Sequence, residues 1–219
     1  MKTKTLFSAA LLGVIFSAHF GATVAQTPAA QDSLLQFGSV LYDTLQCAAC
    51  HYGPPSGVNI PPSLEAAGSK YQLEWLAAYM LKPESRRWIE EKKRPLVRMP
   101  DFRLTERESQ ALALFLASQT DSLRFPEISV TADSAMLAEG KDIYDDYACY
   151  GCHTIDGDGG EVGPDLSDVG SRLKPGYLKV FLKDPLKAIP GTPMKNFDFW
   201  DEEIQPLVAW LMSLKKKEQ

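Results

Sequence analysis

Hydrophobic positions recur along this chain with a helical period, and the same pattern is written twice. Leu34, Leu35, Gly38, Leu41 and Tyr42 share one face of a 3.6-residue repeat, which predicts a helix ending shortly before Cys47. Met136, Leu137, Gly140, Ile143 and Tyr144 predict its counterpart, with Asp133 placed to cap it. A middle apolar stretch in each half, YQLEWLAAYMLKP and GYLKVFLKDP, predicts a second helix stopped by Pro83 or Pro185. A last amphipathic helix is predicted over Thr105–Ser118, where Thr105 followed by Glu108 reads as a capping box. Its counterpart spans Trp200–Leu214. Pro206 lies near the fourth position of that helix, where a missing amide costs little.

The two halves superpose residue by residue. A shift of 102 positions carries Gly38 to Gly140, Tyr42 to Tyr144, Pro62 to Pro164, Leu64 to Leu166 and Trp75 to Tyr177. The first half then holds seven extra residues, and a shift of 95 carries Met99 to Met194, Phe102 to Phe197 and Phe115 to Trp210. This internal repeat predicts two similar, mostly helical units over 32–119 and 130–215, joined by a short linker at 120–129 (TDSLRFPEIS). The paired glycines and aromatics predict a close crossing of the first and last helices of each unit, through Phe115 or Trp210. Between first and middle helices lie turn-rich loops (GPPSGVNIPPS and IDGDGGEVGPDLSD). Loops of that composition need something to lie on.

Composition changes this picture mainly at the N-terminus. Lys2 and Lys4 precede an apolar run from Leu6 to Ala25, and small residues lead into Gln26. Residues 1–25 read as a secretory signal cleaved after Ala25; the competing reading is an uncleaved membrane anchor. The formal charge is −5, and without the two lysines the balance is 21 cations against 28 anions, or −7. Nucleic acid and anionic membrane surfaces are therefore not expected partners. Outside the cytoplasm, four cysteines pose the simple alternative of two disulfides.

The cysteines all lie in CAACH, Cys47 to His51, and CYGCH, Cys149 to His153. The C-x-x-C-H frame is the attachment signal of c-type haem: two thiols bond one porphyrin, and the adjacent histidine reaches its iron. A thioredoxin-type dithiol wants a βαβ setting and leaves the histidine unexplained. Zinc finds only Cys, Cys and His in each half, with no clear fourth ligand. Two disulfides would make the repeated histidine a coincidence. Two haem groups, held by Cys47, Cys50 and His51 and by Cys149, Cys152 and His153, account for all six residues.

For the opposite side of each iron the repeat offers Met99 and Met194, in loops that precede the last helix. Their alternative role is to fill gaps in a loop. The only other histidine, His19, lies in the signal, so a bis-histidine site is not available to the mature chain. Met80, Met136 and Met212 sit at helical core spacing and read as packing. A carbonyl near Pro62 or Pro164 is expected to accept the other ring proton of His51 or His153. Tyr71, Trp75, Tyr79 and Trp88 are candidates to line the first site, and Tyr177, Phe181, Phe197 and Trp200 the second, with ordinary core packing as the alternative for each.

Each half resembles a class I bacterial cytochrome c domain. The residues that carry the resemblance are Gly38, Tyr42, Cys47, Cys50, His51, Pro62, Leu64, Met99 and Phe115, then Gly140, Tyr144, Cys149, Cys152, His153, Pro164, Leu166, Met194 and Trp210. The pair is similar to dihaem cytochromes of the c4 type and related two-domain periplasmic carriers. The resemblance implies an all-α fold of two tandem class I cytochrome c domains and two covalently bound haem c groups. It implies the iron ligands His51 with Met99 and His153 with Met194, and one-electron transfer without catalysis by the chain itself. It also implies redox proteins or membrane respiratory complexes as partners, and a periplasmic protein, soluble or anchored at its N-terminus. The rival readings are a fixed electron-transfer subunit of a membrane complex and, less favoured, a dihaem peroxidase. One departure is the basic insertion before Met99, KPESRRWIEEKKRPLVR. It reads as a docking or interdomain surface opposite Asp142, Asp145, Asp146, Asp156, Asp158 and Glu161, or as a solvated helix.

Overall fold

The computed structural model describes residues 28–51, 61–83 and 99–216. The basic insertion, apart from Lys82 and Pro83, and Trp88 with it, lies outside these residues, as does the apolar N-terminal run. The first repeat contains α1 (Pro28–Thr44), α2 (Ala67–Lys70), α3 (Leu73–Leu81) and α4 (Glu106–Ser118). The second contains α5 (Ser134–Asp146), β1 (Thr154–Ile155), β2 (Asp158–Gly159), α6 (Val169–Arg172), α7 (Pro175–Lys183), α8 (Pro185–Ala188) and α9 (Asp201–Ser213). The shift of 102 carries the bounds of α2 and α3 onto α6 and α7, and the shift of 95 carries α4 onto α9. Among the described residues the fold is all-α but for an antiparallel hairpin of two two-residue strands, in which Ile155 faces Asp158.

First and last helices cross at the two glycines. A Cβ on Gly38 would overlap the Ala111 carbonyl and crowd Phe115, and one on Gly140 would overlap the Pro206 carbonyl and crowd Trp210. A side chain there would hold the helices apart. The neighbouring rings then meet across the crossing, Tyr42 with Phe115 at 5.2 Å and Tyr144 with Trp210 at 4.7 Å. Leu35, expected on the same face as Leu34, is 36% exposed, whereas Leu34 is buried. The crossing is narrow because glycine brings it close, and it covers only part of that face.

Helix ends follow local chemistry. Thr105 Oγ1 accepts from the Glu108 amide at 3.3 Å and the Glu108 carboxylate accepts from the Thr105 amide at 2.8 Å, closing the capping box of α4. In α9 the Trp200 amide donates to Glu203 at 2.8 Å, but tryptophan has no side-chain oxygen to complete the reciprocal bond. Asp133 caps α5 by accepting from the Met136 amide at 2.9 Å. Each repeat closes on its own core. The first buries Ala67, Leu76, Met80, Ala113 and Leu116; the second, larger, is built on Tyr144, Leu178, Phe199, Ile204, Leu207 and Leu211.

The repeats meet along a short edge related by their own repeat symmetry. Tyr71 forms an antiparallel bridge with Leu173, its counterpart at a shift of 102. The Gln72 amide donates to the Arg172 carbonyl at 3.0 Å, and the Lys174 amide donates to the Lys70 carbonyl at 2.9 Å. These bonds exchange under the shift, so the contact is isologous within one chain. Lys70 Nζ lies over the rings of Tyr71 and Tyr177 at 4.9 and 4.7 Å.

The segment expected as a plain linker is docked on the second repeat. Phe125 is buried with Tyr177 and Ala188, and Arg124 donates to the carbonyls of Lys187 and Ala188 at 2.9 Å. A Cβ on Gly176 would overlap the Pro126 carbonyl, so the chain passes directly over that glycine.

Candidate haem sites

Each C-x-x-C-H begins where the first helix is turned aside. The Leu45 amide still donates to the Leu41 carbonyl at 2.9 Å, and the next residue, Gln46, takes a left-handed conformation with φ of 54°. Ala148, its counterpart, has φ of 50°. A left-handed residue ends the helix and throws the chain sideways. The cysteines then lie on a single 3-10 turn, Cys47–Ala49 and Cys149–Gly151. The histidine amide closes each turn back to the first cysteine carbonyl at 3.0 Å in both repeats. Two thiols and one imidazole are therefore fixed on one compact loop, twice.

The histidine rings are oriented alike. Nδ1 of His51 lies 2.8 Å from the Pro62 carbonyl, and Nδ1 of His153 lies 2.8 Å from the Pro164 carbonyl. A carbonyl only accepts, so Nδ1 carries the proton and donates. Nε2 then carries the lone pair, the form a metal requires. Burial holds the His153 pKa below the ordinary histidine range, and the Arg172 charge acts in the same direction against the Pro164 bond. The ring is thus neutral at pH 7. Burial also raises the first thiol of each motif, Cys149 to about 11 and Cys47 in the same direction, so both are protonated thiols at neutral pH. Cys50 and Cys152 are exposed, and none of the four cysteines is joined to another in a disulfide. Among the described residues no group of three or more His, Cys, Asp or Glu is placed to hold a metal ion, as a shared four-thiol zinc site would need.

The methionines lie against the same cores. Met99 packs on the first cluster, as do Tyr42, Leu64 and Phe115; Met194 packs on the second, where Cys149, Leu166 and Trp210 also pack. In the second repeat, thiol and thioether therefore meet one apolar body. Mirror-image strain marks these loops as well: Arg103 and Asp198, equivalent positions beyond the two methionines, have φ of 54° and 56°.

The aromatic candidates separate. Tyr71, Trp75 and Tyr79 stack in series at 4.9 and 4.8 Å and pack on the first core. Phe197 packs on the second core. Tyr177 and Phe181 instead belong to the cluster under the linker, and Trp200 is 72% exposed. Packing by the linker draws Tyr177 away from the role of its counterpart Trp75. Periodicity also passed over Arg172, which is 6% exposed, donates to the Asp165 carbonyl at 3.0 Å and lies 3.9 Å from Asp168. The available signal was the aligned pair GSK and GSR, in which lysine faces arginine. A further break in symmetry is Gly163, where a Cβ would overlap the His153 ring; its counterpart is Pro61.

The cytochrome c family profile matches residues 35–120 and 137–215, one copy on each repeat. The chain belongs to the cytochrome c family. It is a dihaem class I c-type cytochrome with two such domains in tandem, and electron transfer is the general function of those domains. It is 30% identical over 89 residues to cytochrome c oxidase subunit 2 of Alkalihalophilus pseudofirmus, a match that spans 36% of this chain and 26% of the relative. It is 26% identical over 128 residues to CcoP, a subunit of the Cbb3-type cytochrome c oxidase of Helicobacter pylori, over 55% of this chain and 40% of the relative. It is 31% identical over 111 residues to a nitric oxide reductase subunit of Halomonas halodenitrificans, 45% of this chain and 74% of the relative. The chain thus spans about a quarter of the oxidase subunit 2 and two fifths of CcoP. No solved structure matches it significantly. Among the described residues no helix is long and apolar enough to cross a membrane.

Proposed function

We propose that this cytochrome carries single electrons between redox partners outside the cytoplasmic membrane, through two covalently attached haem c groups. The twin histidines support this most directly, each with Nδ1 given to a proline carbonyl and Nε2 left with the lone pair. His51 with Met99 and His153 with Met194 form the two ligand pairs, and Cys47, Cys50, Cys149 and Cys152 form the thioether bonds. Haem bound in this way supplies a metal that changes charge by one electron with no bond to substrate. The chain's own part is to hold the imidazole in one tautomer, to pack a neutral thioether on the same core, and to keep water away. A soft thioether favours the reduced metal relative to a second histidine.

The domains in this reading run over 32–119 and 130–215, with 120–129 between them and a signal over 1–25. Membrane respiratory complexes and other redox proteins are the partners, in keeping with relatives named as oxidase and reductase subunits. Likeness to free c4-type carriers and a fixed place within a membrane complex are separated by fractionation. A free carrier leaves the membrane on a salt wash, whereas a fixed component purifies with its complex.

Two measurements test the sites. The haemochrome assay is expected to return two haems per chain, and replacing either cysteine pair by alanine to leave one. Near-infrared magnetic circular dichroism of the oxidised protein is expected to show the weak band of methionine-ligated low-spin haem. Met99→Ala and Met194→Ala are each expected to remove part of it, and a band unchanged in both variants would overturn the methionine assignment.

A further inference from the structure

The two C-x-x-C-H turns differ on their outer rim. In the first, Ala48 follows the first cysteine; in the second, its counterpart is Tyr150, 53% exposed. The loop beside it is fixed against the motif at both ends. The Gly160 amide donates to the Tyr150 carbonyl at 2.8 Å and the Gly163 amide to the Cys152 carbonyl at 2.6 Å. Glu161 and Val162 stand between these two anchors, and Val162 is 58% exposed. A tyrosine and a valine thus stand outward beside the second motif, on backbone held at known points. Neither is needed to fill the core behind it.

Charge gives this small apolar surface a preferred occupant. Asp146 stands two residues before the strained Ala148, Asp158 pairs with Ile155 in the hairpin on the motif, and Glu161 adjoins Val162. All three are exposed. Asp145 is matched by Lys141 at 2.6 Å and adds no net charge. An apolar centre, tyrosine above all, within an acidic rim fits a protein surface with an apolar centre and a basic rim. It disfavours an anionic lipid surface on the same ground.

We infer that the Tyr150–Val162 rim of the second domain is the docking face for a redox protein with a lysine- or arginine-rich surface, so that electrons enter or leave the molecule through the second domain. This rests on the carrier reading above.

The test uses the full holoprotein, reduced, with washed respiratory membranes of the source organism as oxidant. Initial rates of haem oxidation are followed against holoprotein concentration. Asp158→Lys with Glu161→Lys is expected to raise KM by about tenfold with kcat nearly unchanged, because rim charges act on encounter. Tyr150→Ala is expected to raise KM several-fold. A reversal of equal charge near the first motif, Asp43→Lys with Glu65→Lys, is expected to leave KM within about twofold. Raising ionic strength from about 20 to about 200 mM should weaken the wild-type interaction, and decalysine should compete with it. A larger effect from the first-motif pair, or a KM indifferent to both the second-motif reversal and salt, overturns the inference. Reduction by hexaammineruthenium(II) separates the two readings. Failure of both haems to take up electrons from it overturns the carrier reading, whereas normal reduction without oxidation by the membranes overturns only the docking face. The replaced side chains are exposed, and circular dichroism checks that each variant keeps the wild-type fold.

Discussion

At Gly38 and Gly140 two effects of one methyl group oppose each other. Within a helix, alanine is favoured over glycine by about 1 kcal/mol. At these positions the added Cβ would overlap a backbone carbonyl of the facing helix, which has no rotamer by which to move aside. Overpacking of that kind costs about 1–3 kcal/mol, so it outweighs the propensity gain. Gly38→Ala and Gly140→Ala are each expected to lower the melting temperature, and a rise in either would show that the helices part freely. On the ligation proposed above, Met194→His would place a stronger donor on the second haem and is expected to lower its reduction potential with the first unchanged, as read by spectroelectrochemical titration.

Spacing alone groups the six motif residues, and the structure does set each set of three on one turn; two shifts pair the methionines, and the structure packs each against its own core. The aromatic surroundings were only half legible. Trp75 and Tyr177 align, yet one stacks between Tyr71 and Tyr79 and the other lies under Phe125. That difference depends on where the linker runs, and no periodicity within a helix carries it. Arg172 was missed for a related reason, since arginine is charged and its burial arises from loops that fold around it.

The helices α2, α3 and α4 match α6, α7 and α9 in length, but the last pair begins by different means. The capping box of α4 is complete. Hydrogen bonds from the Thr105 amide and hydroxyl hold the Glu108 carboxyl below the usual glutamate range. A depressed carboxylate contributes stability that is fully present above its unfolded pKa and lost as pH falls through its folded one. The α4 end is therefore expected to hold in mildly acid solution and to loosen only as the pH falls below the ordinary glutamate range, and Glu108→Gln to flatten that part of the pH–stability profile, as followed by amide exchange in the first turn. Thr105→Ala is expected to cost about 1 kcal/mol. Trp200 completes no such box. Glu203 is held instead by the Tyr147 hydroxyl, which donates at 3.0 Å and ties α9 to the residue before Ala148. The sequence pattern located the middle and last helix of each repeat to within about two residues at their ends, while α1 begins earlier than its apolar face suggests. It did not disclose the 154–159 hairpin or the short helices α2, α6 and α8, which are too short to show a period.

For the molecule as a whole, the segment between the repeats is held by both: the Asp121 amide donates to Ser69 Oγ of the first at 2.9 Å, and the stretch from Arg124 to Pro126 lies on the second. Arg124 is the only trypsin target between Arg107 and Lys141, and its guanidinium is bound by two carbonyls while Phe125 is buried beside it. Slow cleavage there is expected in the native holoprotein. Phe125→Ala is expected to accelerate it by at least tenfold, as about 3–5 kcal/mol of burial is lost; equal rates would show that the segment does not rely on this anchor.

The bridge between Tyr71 and Leu173 is slight, with two main-chain bonds and one from the Gln72 side chain to the Leu173 carbonyl. Two separate molecules meeting through so small an edge would part at once, since binding must first offset several kcal/mol of lost motion. One covalent chain alters the arithmetic. A short tether holds the partner edge at an effective concentration on the order of millimolar, and the contact closes without a large interface. Because each half offers the other the same edge, cutting the chain at Arg124 would leave two surfaces each able to pair with its own kind. The tether, more than the surface, decides that the partner is the other half.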